Sequence, residues 1–135
     1  MAEGSYILRL DRGEEVIETL KQFAKESKIK GCWFSGIGAV KSAELAYYNL
    51  KSKMYETKII GKELEVVSLS GNIVWMNKNP IVHAHTVLSG REMETYGGHL
   101  MKAYVSATLE ICLVSSGKKI MRTRDKITGL NLLEL

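Results

Sequence analysis

The chain carries only three histidines, His83, His85 and His99, and all fall within 17 residues. Two of them form His83-Ala84-His85 inside the apolar, β-branched run Ile81-Val82-His83-Ala84-His85-Thr86-Val87-Leu88. In a strand, residues i and i+2 point to the same side, about 7 Å apart at Cα. Two ring nitrogens at that spacing can converge on one ion. His99 follows Tyr96-Gly97-Gly98, where glycine is expected to bend the backbone and bring a third imidazole across. Three neutral imidazoles with an open fourth position suit zinc first, and other divalent transition metals as well. The competing reading is that His83 and His85 are polar residues on a half-buried strand.

A metal site needs groups that orient its rings. Glu110 is the candidate carboxylate, on the polar face of a later strand; a surface or interface ion pair is its alternative role. Ser70, with Ser68 and Asn72, lies on the polar face of the strand before the histidines. The densest basic segment runs from Lys118 to Lys126. Lys118, Lys119, Arg122 and Arg124 are its candidate nucleic-acid contacts, and in a strand Arg122 and Arg124 share a face. The favoured reading of this strip is a solvated edge, where cations discourage strand-to-strand aggregation. Gly36-Ile37-Gly38-Ala39 reads as a tight bend between strands rather than a phosphate loop, because no helix follows it. Ser35 and Ser70 lack the surroundings of a nucleophile elbow.

These residues need strands to hold them. Tyr6, Leu8 and Leu10 alternate with Ile7, Arg9 and Asp11, which predicts a first strand. Asp11 and Glu14 then resemble a capping box. Val16, Ile17, Leu20, Phe23 and Ala24 follow at helical spacing, which predicts one long helix from about Gly13 to Ser27. Beyond it, runs rich in β-branched and aromatic residues alternate with turn signals. Strands are expected near 31–37, 42–49, 54–60, 64–75, 81–88, 102–114 and 118–123, with a short one near 130–134. In 102–114 every odd position, Ala107 included, is apolar. The even face is polar but β-prone, which fits solvent or a subunit contact. One main helix and many strands predict an α+β fold with a mainly antiparallel sheet.

The 135 residues suit one domain, 1–135, able to bury roughly 68% of its unfolded surface. No apolar run approaches the ~20 residues that cross a bilayer, and the first residues do not read as a signal peptide. Cys32 and Cys112 lie in apolar stretches and read as two buried thiols in a reducing compartment, so a soluble, cytoplasmic protein without membrane contact is expected. A net charge of +4 permits an acidic partner without demanding one.

The order of motifs resembles that of the PPC (plants and prokaryotes conserved) domain from about residue 4 to 115. It runs Arg9-Leu10-Asp11-Arg12-Gly13-Glu14-Glu15-Val16, Gly36-Ile37-Gly38-Ala39-Val40, Glu65-Val66-Val67-Ser68-Leu69-Ser70-Gly71-Asn72, Pro80-Ile81-Val82-His83-Ala84-His85, Gly97-Gly98-His99-Leu100 and Thr108-Leu109-Glu110-Ile111. The resemblance implies an α+β trimer. It also implies that prokaryotic members stand alone, are often described as predicted DNA-binding proteins, and in some cases hold a metal at the histidines corresponding to His83, His85 and His99. Plant members carry AT-hook segments, and none is present here. Two functions follow: a homotrimeric binding or regulatory module with DNA as a candidate partner, or a metal-dependent enzyme with Glu110 as the first candidate for acid–base work.

Overall fold

The computed structural model of the chain describes residues 4–135. In chain order its elements are β1 (Ser5–Leu10), α1 (Val16–Glu26), β2 (Cys32–Asn49), β3 (Met54–Ile60), β4 (Leu64–Met76), β5 (Asn79–Ser89), β6 (Thr95–Ser115), β7 (Met121–Arg124) and β8 (Asn131–Glu134). The expected α+β class and mainly antiparallel sheet are what the structure shows. The parallel exception is β4 with β7, joined at the single pair Trp75 and Met121. No helix among the described residues is long and apolar enough to cross a membrane.

The sheet bends back on itself. β2 pairs with β6, β6 with β5, β5 with β4, and β4 returns to β2, so four strands close a ring. Alternation sends Phe34, Leu69, Ile73, Leu88, Leu109, Ile111 and Leu113 inward, where each is almost fully buried. α1 packs on β5 and β6 and adds Val16, Leu20 and Ala24 to the same core. Full burial of a side chain such as Leu20 contributes roughly 1.5–3 kcal/mol.

The helix starts three residues later than its sequence pattern predicts, because Glu15 caps it rather than Asp11. The Glu15 carboxylate accepts from the backbone N–H groups of Ile17 (3.2 Å) and Glu18 (2.8 Å). It also accepts from Ala103 N–H at 3.1 Å, tying the helix start to β6. Only the return half of the expected capping box forms, with Asp11 N–H donating to the Glu14 carboxylate. At the other end Lys28 adopts φ 54°, Lys28 N–H reaches Lys25 O, and Ile29 N–H reaches Ala24 O. That is a left-handed cap in which lysine stands where glycine is usual.

Three other expectations need correction. The runs 31–37 and 42–49 are one strand, β2, and Gly36 and Gly38 lie inside it. A Cβ on Gly38 would collide with the Thr108 carbonyl oxygen, and one on Gly36 with Glu110 O. Glycine here serves close approach of β6 rather than a bend. The register between β2 and β6 also shifts, since Gly38 pairs with Leu109 but Val40 with Val105. The extra β6 residues bulge, and Ala107 turns out to solvent although its parity predicts the core. Cys32 is buried as expected, but Cys112 is exposed and both thiols are free, because Cys112 shares the outward face of β6 with Glu110.

Candidate metal centre

Register brings the histidines together. His85 is the cross-strand partner of His99 on β6, while His83 and His85 share one face of β5. Gly97 and Gly98 do not bend the chain as predicted; they lie within β6, and His99 arrives by pairing. One ligand atom from each ring lies within 4.8 Å of the other two. His83 Nε2 and His85 Nε2 are 3.2 Å apart. The ring centroids are 5.0–5.5 Å apart. A tetrahedral zinc with Zn–N near 2.0–2.1 Å holds its nitrogens about 3.3 Å apart, so small side-chain rotations would close the set.

Two conditions favour the neutral imidazoles that a metal requires. Burial, then the Arg122 charge and then the neighbouring rings lower the His83 pKa to about 4. Burial, His85 and Arg122 lower that of His99. The donor set is all-nitrogen, with His83 and His99 half-buried and His85 exposed, and it fits zinc or a similar ion.

The neighbours are partly those that strand alternation placed. Ser70 is the register partner of His85, and Asn72 of His83. Glu110 is elsewhere. It pairs with Ile37 and Arg9 and lines a separate cavity of about 410 Å³ with Ser35, Ser68 and Cys112. Two strands of the ring, β2 and β4, lie between it and His85 along the row of register partners, so the structure does not place it beside the rings.

Arg122 is the surprise. Its expected place was an outward basic strip, but its guanidinium turns inward. Nη2 donates to Asn72 Oδ1 at 2.9 Å and lies 3.2 Å from His83 Nδ1. Nη1 donates to Asn131 O. Lys118 and Lys119 precede β7 and stay outside the cluster. Arg124 is exposed and lines the same cavity as Arg122, a space of about 430 Å³ opening on His83 and His99. The Tyr55 ring lies 4.9 Å from that of His99, tilted by 36°. Tyr48 packs edge-on against Tyr55 and donates to Thr128 O at 2.7 Å. Burial, then Tyr48, raises the Tyr55 pKa, with Arg122 opposing. Sequence reasoning missed Tyr48 and Tyr55. The one available signal was two consecutive tyrosines facing a third across a short turn.

Residues 2–117 match the Plants and Prokaryotes Conserved (PCC) domain. The β7–β8 hairpin that supplies Arg122 and Asn131 lies beyond that match. A metal-containing protein from Archaeoglobus fulgidus is 37% identical, with 100% of this chain and 96% of that one covered and a TM-score of 0.91. A candidate DNA-binding protein from Bacteroides thetaiotaomicron is 29% identical, with 96% and 91% covered and a TM-score of 0.93. The bifunctional protein GlmU of Synechococcus sp. (strain JA-3-3Ab) is 28% identical over 127 residues, 92% of this chain. The chain spans only 19% of that protein's length.

Proposed function

Because the chain belongs to the Plants and Prokaryotes Conserved (PCC) domain family, we propose that it is a homotrimeric binding and regulatory module built on a three-histidine metal centre. Zinc is the first ion to expect, and DNA is the candidate macromolecular partner. The observation that carries the metal reading is the convergence of His83, His85 and His99 within 4.8 Å. The Archaeoglobus relative, described as metal-containing, supports it. When bound, such an ion supplies positive charge and an open coordination position. His83, His85 and His99 are the proposed ligands, with Ser70 and Asn72 beside them.

Self-association is supported by apolar side chains left on the outward face. Ile7 is 79% exposed, Ile37 60% and Val67 54%, and they line the Glu110 cavity together. Apolar side chains gathered on one exposed face are a feature that protein interfaces use. DNA as partner rests on the relative described as a DNA-binding candidate and on the net charge of +4. With Arg122 turned inward, the proposed phosphate contacts are Lys118, Lys119 and Arg124. Retention on duplex DNA at low salt, falling steeply as salt rises, is the expected result. No retention even at low salt would remove DNA from the proposal.

A second reading, a metal-dependent enzyme, is favoured by the cavity of about 430 Å³ at the histidines, which is the size of a small-molecule site. Turnover that needs both the metal and His85 would establish it.

A further inference from the structure

The histidine cavity is lined by Lys53, Arg122 and Arg124 and, among the described residues, by no aspartate or glutamate. None of the three cations forms an ion pair with a carboxylate among those residues. Lys53 donates to the carbonyl of Lys126, and the carboxylate it influences, Asp125, lies outside the cavity lining. Arg122 is held by neutral acceptors alone: Asn72 Oδ1, Asn131 O and His83 Nδ1. Its Nε is buried without a hydrogen-bond partner, as is Asn131 Oδ1. A half-buried guanidinium in this state has spare donor capacity that no carboxylate among the described residues meets.

The contact between Arg122 and His83 adds a constraint. A guanidinium only donates, so His83 Nδ1 must accept, and the one proton of the neutral ring then sits on Nε2. His83 can give a lone pair to a metal through either nitrogen. Through Nδ1, it gives up the acceptor that Arg122 uses. Through Nε2, its proton moves to Nδ1, which then faces Arg122 donor to donor. Either way the Arg122–His83 hydrogen bond is lost, and two positive groups face one cavity.

We propose that Arg122 couples the metal centre to a small oxyanion, a carboxylate or phosphate ester. With the metal absent, Arg122 rests on His83. With the metal present, Arg122 releases His83 and holds the oxyanion in the cavity through its planar fork. The inference rests on the metal-centre reading above. By linkage, the oxyanion strengthens metal binding by the factor that the metal strengthens oxyanion binding.

The test is titration of metal-stripped protein with cobalt(II) by calorimetry in chloride, acetate or sulfate at matched ionic strength. Acetate or sulfate should tighten cobalt binding about five-fold or more in the wild type. Response to acetate alone would mark a carboxylate site, and response to both a general oxyanion site. Arg122→Gln should abolish the tightening while binding cobalt in chloride at least as well as wild type, since a competing hydrogen bond and a repelling charge are gone. Arg122→Lys, which keeps the charge without the fork, should retain only part of the effect and guards against a misfolded glutamine variant. Cobalt binding indifferent to both oxyanions, or an undiminished effect in Arg122→Gln, would overturn the coupling and leave the metal centre standing. Failure of wild type to bind cobalt at all would overturn both.

Discussion

Cys112, Ser35, Ser70, His85 and His99 are successive register partners across β6, β2, β4, β5 and β6 again, and a cavity opens at either end of that row. The two spaces are similar in size, about 410 and 430 Å³, but their chemistry is opposite. At the histidine end most polar groups find partners within the chain, though Arg122 Nε and Asn131 Oδ1 do not: Arg122 meets Asn72, Tyr48 meets Thr128, and Tyr55 lies against His99. At the Glu110 end, Ile7, Ile37 and Val67 stand in the open, and Glu110 has no ion pair among the described residues. A sheet face that is chemically furnished at one end and apolar at the other suggests division of labour. Under the proposed function, one end takes a small ligand and the other a second copy of the chain.

The largest expected effect comes from attacking the apolar end. Ile37→Asp places a charge among Ile7 and Val67 and should convert the proposed trimer to monomer by light scattering. Metal content per chain should stay unchanged. Loss of the metal with the trimer would show that the two ends are not separate, and would point to a site that needs the assembly.

A smaller effect belongs to the histidine end. In metal-stripped protein the His83 pKa lies at about 4, below the unfolded value of about 6.5. The unfolded chain therefore binds the additional proton between those values. Stability from this source is full above about pH 6.5, falls as pH drops, and stops falling near pH 4. Denaturant midpoints measured across that range should show the decline, and His83→Gln should make it shallower, the remainder coming from His99, whose pKa burial also lowers. A decline that persists unchanged in the variant would assign it to other groups.

The smallest effect is a control remote from both ends. Lys28 occupies the left-handed cap of α1 at φ 54°. Lys28→Gly should raise stability by about 1 kcal/mol in thermal or denaturant unfolding, with assembly and metal content untouched.

The two ends were unequally legible in the sequence. Spacing alone aligned His83 with His85, and strand alternation put Ser70 and Asn72 on their side. The helix was visible from Val16, Leu20 and Ala24, although its start was not, since a capping Glu15 that also binds Ala103 is a long-range contact. Arg122 was placed in its strand but aimed outward. Its true direction follows from one parallel pairing, Trp75 with Met121, which no local period encodes. Gly36 and Gly38 looked like a turn because close packing of one strand on another and a tight bend ask for the same residue. The bulge that exposes Ala107 likewise arises between strands, so parity within β6 could not reveal it.

The central claim is that the histidines hold a metal, and the direct measurement is metal content by mass spectrometry on untagged protein beside its His83→Ala/His85→Ala variant. The account predicts about one zinc or similar ion per chain in the wild type, lost in a variant that still folds and assembles. A wild type that carries no metal, even after zinc is added back, would contradict it and leave the three rings as structural residues.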